Sequence, residues 1–175
     1  SSDVCSSDLD IMDRRKFVNY VTAKNFHTDF VQPCKERGIE WHGIIGNHDT
    51  YFKNTNEVNS MDTLYGEDAA GYNFTYYDKP ETIDIDGHKL ALLPWICSGN
   101  YDECMEFMEN TPAQVLLGHL EIQGFEMHRG AYNDHGFGRD IFQKFDQVYS
   151  GHFHHRSTIS NITYLGCPYE MSWAD

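Results

Sequence analysis

No apolar run in this sequence approaches the roughly 20 residues a helix needs to cross a bilayer. Its first residues lack the basic segment and apolar stretch of a secretory signal, so a cytoplasmic protein is expected. Cysteine is sparse and scattered: Cys5, Cys34, Cys97, Cys104 and Cys167 form an odd set without a C-x-x-C pair. That argues against a disulfide framework and against a zinc knuckle. Basic residues are also few, 13 Lys and Arg against 27 Asp and Glu, for a net charge of −14. A phosphate-gripping surface spread over the whole fold is thereby excluded. An enzyme that meets a polyanion through bound cations is not, because divalent ions reverse the local field of an acidic protein at one spot. Internal repeats and low-complexity linkers are absent as well.

What is present is a globular composition, 40% hydrophobic and 14% aromatic over 175 residues, enough for one domain with a full core. Phe17, Val18, Val21, Phe30, Val31 and Cys34 predict one buried face of a helix between Asp13 and Arg37, with Gly38 as its stop. A buried strand follows at 39–45, then a short helix over 59–66 capped by Asn59, and a strand at 72–77. Asp86-Gly87-His88 between two apolar segments predicts a hairpin. A helix over 101–109 and a strand over 114–117 come next, then a loop over 124–137. A short helix over 140–145, a strand over 147–150 and a final strand pair around Ser160-Asn161 complete the pattern. Helices alternating with strands imply an α/β fold.

Three short apolar strands end alike: Gly43-Ile44-Ile45-Gly46-Asn47-His48-Asp49, Val115-Leu116-Leu117-Gly118-His119 and Val148-Tyr149-Ser150-Gly151-His152-Phe153-His154. Ligands gather outside the carboxyl ends of strands in α/β sheets, and Asn, His and Asp are donors for manganese, iron or zinc. Taken singly, each has a plain alternative. His119 is a loop histidine, and Asn47-His48-Asp49 is a turn. Together they predict a shared metal site. His152 and His154, one residue apart, would point the same way on an extended chain.

Asp10-x-x-Asp13, Gly46-Asn47-His48-Asp49, Gly118-His119 and Gly151-His152-x-His154 stand in the order of the calcineurin-like metallophosphoesterases, which this sequence resembles. Leu93-Pro94-Trp95, the segment from Gly118 to Phe125 and Tyr164-Leu165-Gly166-Cys167-Pro168 resemble one branch, the SbcD-type DNA recombination and repair nucleases, including the recombination endonuclease subunits of large tailed phages. The resemblance spans residues 10–175. It implies a β-sandwich flanked by helices and metal-dependent phosphodiester hydrolysis on DNA, with two divalent ions, manganese foremost. Implied partners are DNA, an SMC-like ATPase subunit and a second copy of the chain. By resemblance Asp10 bridges two ions, Asn47, His119 and His152 complete the shell of one, and His154 binds the other. His48 would stabilise developing charge or protonate the leaving oxygen, and Asp49 would orient His48. Asp13 would support the site without binding metal.

Other residues carry weaker expectations. His42 reads as a strand residue, His88 as a turn residue, and His128 and His135 as neighbours of the cleft. Tyr51, Phe52 and Lys53 are either substrate contacts or loop packing, while Pro94 and Trp95 are core or sheet wall. The family's D-x-H element has no counterpart in residues 1–9, and Leu9 stands where a glycine is usual. Residues 1–9 are therefore expected to be a non-native or disordered tail, and 10–175 a domain truncated at both ends, lacking its first strand and weakly active. The rival readings are a phosphomonoesterase or small-molecule phosphodiesterase on the same fold, and a catalytically silent interaction domain.

Overall fold

The computed structural model describes residues 4–7, 10–12, 14–128 and 130–167. Strand β1 (Val4–Ser7) is followed by α1 (Tyr20–Asn25), a π-helical stretch (Phe26–Val31) and α2 (Gln32–Glu36), which run on as one helical segment. Then come β2 (Glu40–Ile44), α3 (Ser60–Leu64), a 3₁₀ segment (Gly66–Tyr72), β3 (Phe74–Tyr77), β4 (Glu81–Ile85), β5 (His88–Leu93) and α4 (Tyr101–Asn110). After these lie β6 (Val115–Gly118), β7 (Glu126–His128), β8 (Ala131–Tyr132), a 3₁₀ turn (Arg139–Phe142), β9 (Gln147–Ser150), β10 (Ser157–Ile159) and β11 (Ile162–Tyr164).

β2 lies between β1 and β3 in a parallel three-stranded sheet. A second sheet has the order β10-β11-β9-β6-β5-β4, parallel through β11, β9, β6 and β5 and antiparallel at both edges. Ile44 and Tyr77 from the first sheet pack with Leu92, Ile83 and Leu117 of the second. The period-2 alternation of strands sorts the rest. Ala91, Leu93, Leu116 and Val148 point the other way and meet Cys104 and Met108 of α4, while Trp41 and Phe74 meet Val31 and Met61 from the helical side. Two packed sheets with helical elements outside each make a mixed α/β fold. Among the described residues no helix is long and apolar enough to cross a membrane.

Several boundaries follow the sequence because the signals were local. The Asn59 side chain accepts from Asp62 N at 2.8 Å and caps α3. Asp86 and Gly87, both at positive φ, form the two-residue turn between β4 and β5. Gly38 closes the first helical segment at φ +69°, with Ile39 N reaching back to Cys34 O at 2.9 Å.

Three expectations need correction. The first helix begins only at Tyr20, capped by Asn19, and half of the face assigned to it is in solvent: Phe17 and Val21 are 60% and 65% exposed, and Phe30 is exposed too. The π-helical turns at Phe26–Val31 shift the phase, so Phe26 faces the core in place of Val21. The expected loop at 124–137 contains the β7–β8 ribbon. The stretch placed by the sequence in a tail contains a strand: Val4–Ser7 pair in parallel with Glu40–Gly43. Four residues of backbone pairing require no apolar signature at a sheet edge, which is why composition pointed to a tail. Asp13 lies outside the described residues.

Candidate functional site

The three glycine-ended strands β2, β6 and β9 stop at the same end of the two sheets. Gly151 N donates to Gly118 O at 3.0 Å, and Trp95 N, just past β5, donates to Ile45 O at 2.9 Å, which ties the sheets together there. Gly46 has a local reason to be glycine: a Cβ would collide with Asp10 Oδ1 and come within 2.9 Å of His119 Cε1. The residue type at 46 is thus set by two side chains 36 and 73 positions away, not by its own φ.

Asn47 is the meeting point. Its Oδ1 lies 2.8 Å from His119 Nε2 and 3.2 Å from His152 Nδ1. An amide oxygen only accepts, so both rings present N–H to it in this arrangement. Asp10 Oδ2 stands 3.6 Å from His119 Nε2, and its Oδ1 accepts from the His48 backbone N at 2.7 Å. His119 is fully buried at the end of β6. Trp95 flanks both imidazoles, with ring centroids 5.3 Å from His152 and 6.1 Å from His119. His152 itself sits at φ +78°. That left-handed conformation is rare for a side-chain-bearing residue and is found where surrounding structure over-determines it.

The electrostatics are those of a largely buried cluster centred on two carboxylates. Burial raises the Asp10 carboxyl above its usual range, opposed by the His48 N–H and the charges of His48, Arg15 and His154. Asp49 is pushed up to about 6 by burial first, opposed by the backbone N–H groups of Ile11, Gly46 and Met12 and aided by the charge of Asp10. His152 is driven down to about 3, by burial and then by the His119, His48 and His154 rings. Neutral imidazole is the metal-binding form. A carboxylate, an amide oxygen and two imidazoles within reach of one point are a donor set for a first-row divalent ion. Among the described residues no three His, Cys, Asp or Glu side chains form such a group by themselves; the Asn47 amide is what joins them.

Asp10, Asn47, His119 and His152 are thus brought together. His154 is exposed and outside these contacts, though near enough to bias Asp10. The left-handed turn at His152 breaks the extended spacing that was to point the two histidines the same way. Asp49 is placed differently from the expectation. Its Oδ2 accepts from Ile11 N and Gly46 N, both at 3.0 Å, and its Oδ1 from Met12 N at 2.8 Å and Ser60 Oγ at 3.0 Å. A carboxylate has about four acceptor positions, and all are taken, so Asp49 anchors loops and does not orient the His48 ring. His48 is exposed beside the cluster.

His42 is buried, its Nδ1 2.7 Å from Tyr77 Oη, and His88 is exposed on β5. His135 is exposed beside Asp134, and the His128 side chain lies outside the described residues. One neighbour of the cluster had no recognisable sequence signal, Arg15, which donates to Thr50 Oγ1 at 3.1 Å, and Trp95, expected as core or sheet wall, flanks the two imidazoles. Tertiary placement alone brings both to the site.

No family model matches the chain. It is 36% identical over 166 residues to a protein named exonuclease subunit 1 of Enterobacteria phage T4, an alignment covering 95% of this chain and 48% of that protein. The chain therefore spans about half the length of the relative it matches.

Proposed function

We propose that the chain is the nuclease part of a phage DNA recombination and repair complex and hydrolyses DNA phosphodiesters with two divalent ions, manganese foremost. The observation that carries the reading is the convergence of His119 and His152 on Asn47 from separate strand ends, with Asp10 beside His119. The 36% identity to a protein named exonuclease subunit 1 points the same way. On this reading the fold is of the calcineurin-like metallophosphoesterase type. DNA, an SMC-like ATPase subunit and a second copy of the chain are its partners.

Asp10, Asn47, His119 and His152 would hold one ion, and His154 with Asp10 the other. When bound, such ions supply Lewis-acid charge to phosphoryl oxygens and lower the pKa of water. Asp10 is oriented for this task by the His48 backbone N–H on its Oδ1. For those ring nitrogens to bind metal, His119 and His152 would carry their N–H on the other ring nitrogen, and the low basicity of buried His152 favours the neutral ring. The His48 ring, exposed beside the cluster, would give a proton to the departing oxygen. Trp95 walls the two imidazoles from one side and limits water there.

The test compares manganese-dependent cleavage of end-labelled linear duplex DNA with that of bis(p-nitrophenyl) phosphate, in the presence of the ATPase subunit. Loss of both activities in His119→Ala is expected. Cleavage of the small ester with DNA left intact would replace the nuclease reading with a small-molecule phosphodiesterase.

A further inference from the structure

Two residues beyond Asp49, Tyr51 and Phe52 stand in solvent, 42% and 48% exposed, with their rings edge to face at 4.7 Å. Single exposed apolar residues need no explanation, but this pair has two cations beside it. Lys16 Nζ lies 5.8 Å from the centroid of the Tyr51 ring. Arg15 Nη1 donates to Thr50 Oγ1 at 3.1 Å and to Phe52 O at 3.3 Å, fastening the 14–16 segment to the aromatic loop. Arg14, Arg15, Lys16 and Lys53 are four of the thirteen basic residues of a chain whose net charge is −14. Arg15 is also close enough to Asp10 to stabilise its charged form. The one basic segment in this part of an acidic chain therefore borders the metal-type cluster.

The loop bearing the rings is held at its base. Thr50 bridges Asn59, Tyr51 N donates to Val58 O at 2.8 Å, and Asn56 Nδ2 donates to Trp95 O at 2.9 Å. Gly99 approaches the Asn54 carbonyl so closely that a Cβ would collide with it. The base of the loop is held, and what its rings present is π surface beside guanidinium and ammonium groups. Closed duplex DNA offers such a surface only phosphates, because its bases stack on each other. An unpaired nucleotide offers a phosphate to the cations and a free base face to the rings. An apolar protein partner would leave Lys16 and Arg15 desolvated against it.

We propose that Tyr51 and Phe52, with Arg15 and Lys16, form a stacking platform for an unpaired nucleotide of the DNA strand entering the cluster. The site would then favour single-stranded or frayed ends over closed duplex. The proposal rests on the nuclease reading above and specifies the form of its substrate.

Binding measured without metal keeps the two separable. Fluorescence anisotropy with a labelled oligothymidylate and a labelled closed hairpin duplex, both in EDTA at low salt, should show tighter binding of the single strand. The Tyr51→Ala, Phe52→Ala double variant should lose about tenfold or more in single-strand affinity, from stacking worth ~1–3 kcal/mol per base, with hairpin affinity unchanged. Its melting midpoint should match the wild type, since both rings are exposed. Phe52→Trp should retain the affinity and show indole quenching on binding. Equal affinity for both probes, an equal loss for both in the double variant, or no binding of the single strand by the wild type would each overturn the platform. Absence of DNA cleavage with this preference intact would remove the nuclease reading and leave the platform standing.

Discussion

The loop after β2 and the loop after β9 carry the same kind of sequence, glycine followed by metal-type side chains, and are held by opposite means. After β2, Asp49 spends its whole carboxylate on three backbone N–H groups and one hydroxyl, tying Gly46, the 10–12 segment and α3 together. After β9, backbone groups and the Ser150 hydroxyl hold the chain, through Gly151 N to Gly118 O, Cys167 N to His154 O and Ser150 Oγ to Gly151 O. Here the ligand-type residue itself, His152, takes the left-handed conformation. One loop is fixed by a buried anion and the other by backbone geometry. The same short motif can thus be presented by two unrelated solutions, and substitutions should separate them.

The largest effect is expected at Asp49. Asp49→Ala leaves donors from three segments without acceptors and should cost about 3–4 kcal/mol, read as a fall in the urea midpoint. Asp49→Asn, which keeps an acceptor oxygen, should recover part of it. An unchanged midpoint would mean that the loop after β2 is not held by this carboxylate.

At the other loop, His152→Gly should be more stable than His152→Ala by about 1 kcal/mol, because both remove the ring while only glycine accepts φ +78° without strain. Thermal melts of the pair check it, and the reverse order would deny the backbone strain. Gly46→Ala should affect binding more than folding. Its Cβ displaces Asp10 and His119, and manganese affinity by calorimetry should fall at least tenfold, roughly 1.4 kcal/mol.

The smallest effect comes through the strands beneath the loops. β2 carries the buried His42, whose basicity burial lowers, against a raising influence from Glu40. A folded-state pKa below the unfolded 6.5 means that the unfolded state binds more protons. The contribution of His42 is therefore complete above pH 6.5 and declines as pH falls below it toward the folded value. The His42→Leu, Tyr77→Phe double variant should show a shallower loss of stability between pH 7.5 and pH 5, measured by urea unfolding at each pH. β9 carries no such group, and Val148→Ala should shift stability equally at both pH values.

Much of this arrangement was legible because it is local. Asn59 before α3, Asp86-Gly87 between β4 and β5, and Gly38 after α2 act on their immediate neighbours, so sequence alone located them. The ligand-type residues were legible through repetition of one pattern at three strand ends. The first helix was misread because a π-helical stretch breaks the 3.6-residue period on which its buried face was inferred. The Asp49 role was misread because a carboxylate's capacity is decided by which donors surround it, and Ile11, Met12 and Ser60 are remote in sequence.

The sequence by itself determined that glycine-ended strands would carry Asn47, His119 and His152, since strand alternation and turn chemistry are properties of adjacent residues. Only the tertiary structure decided that Asp10 lies against Gly46, that Asp49 is an anchor, that His152 is left-handed, and that Arg15 ties a basic segment to Tyr51 and Phe52. Those facts depend on which distant groups fill the space around each side chain. Burial and hydrogen-bond saturation are set by packing, and no short segment encodes its own packing.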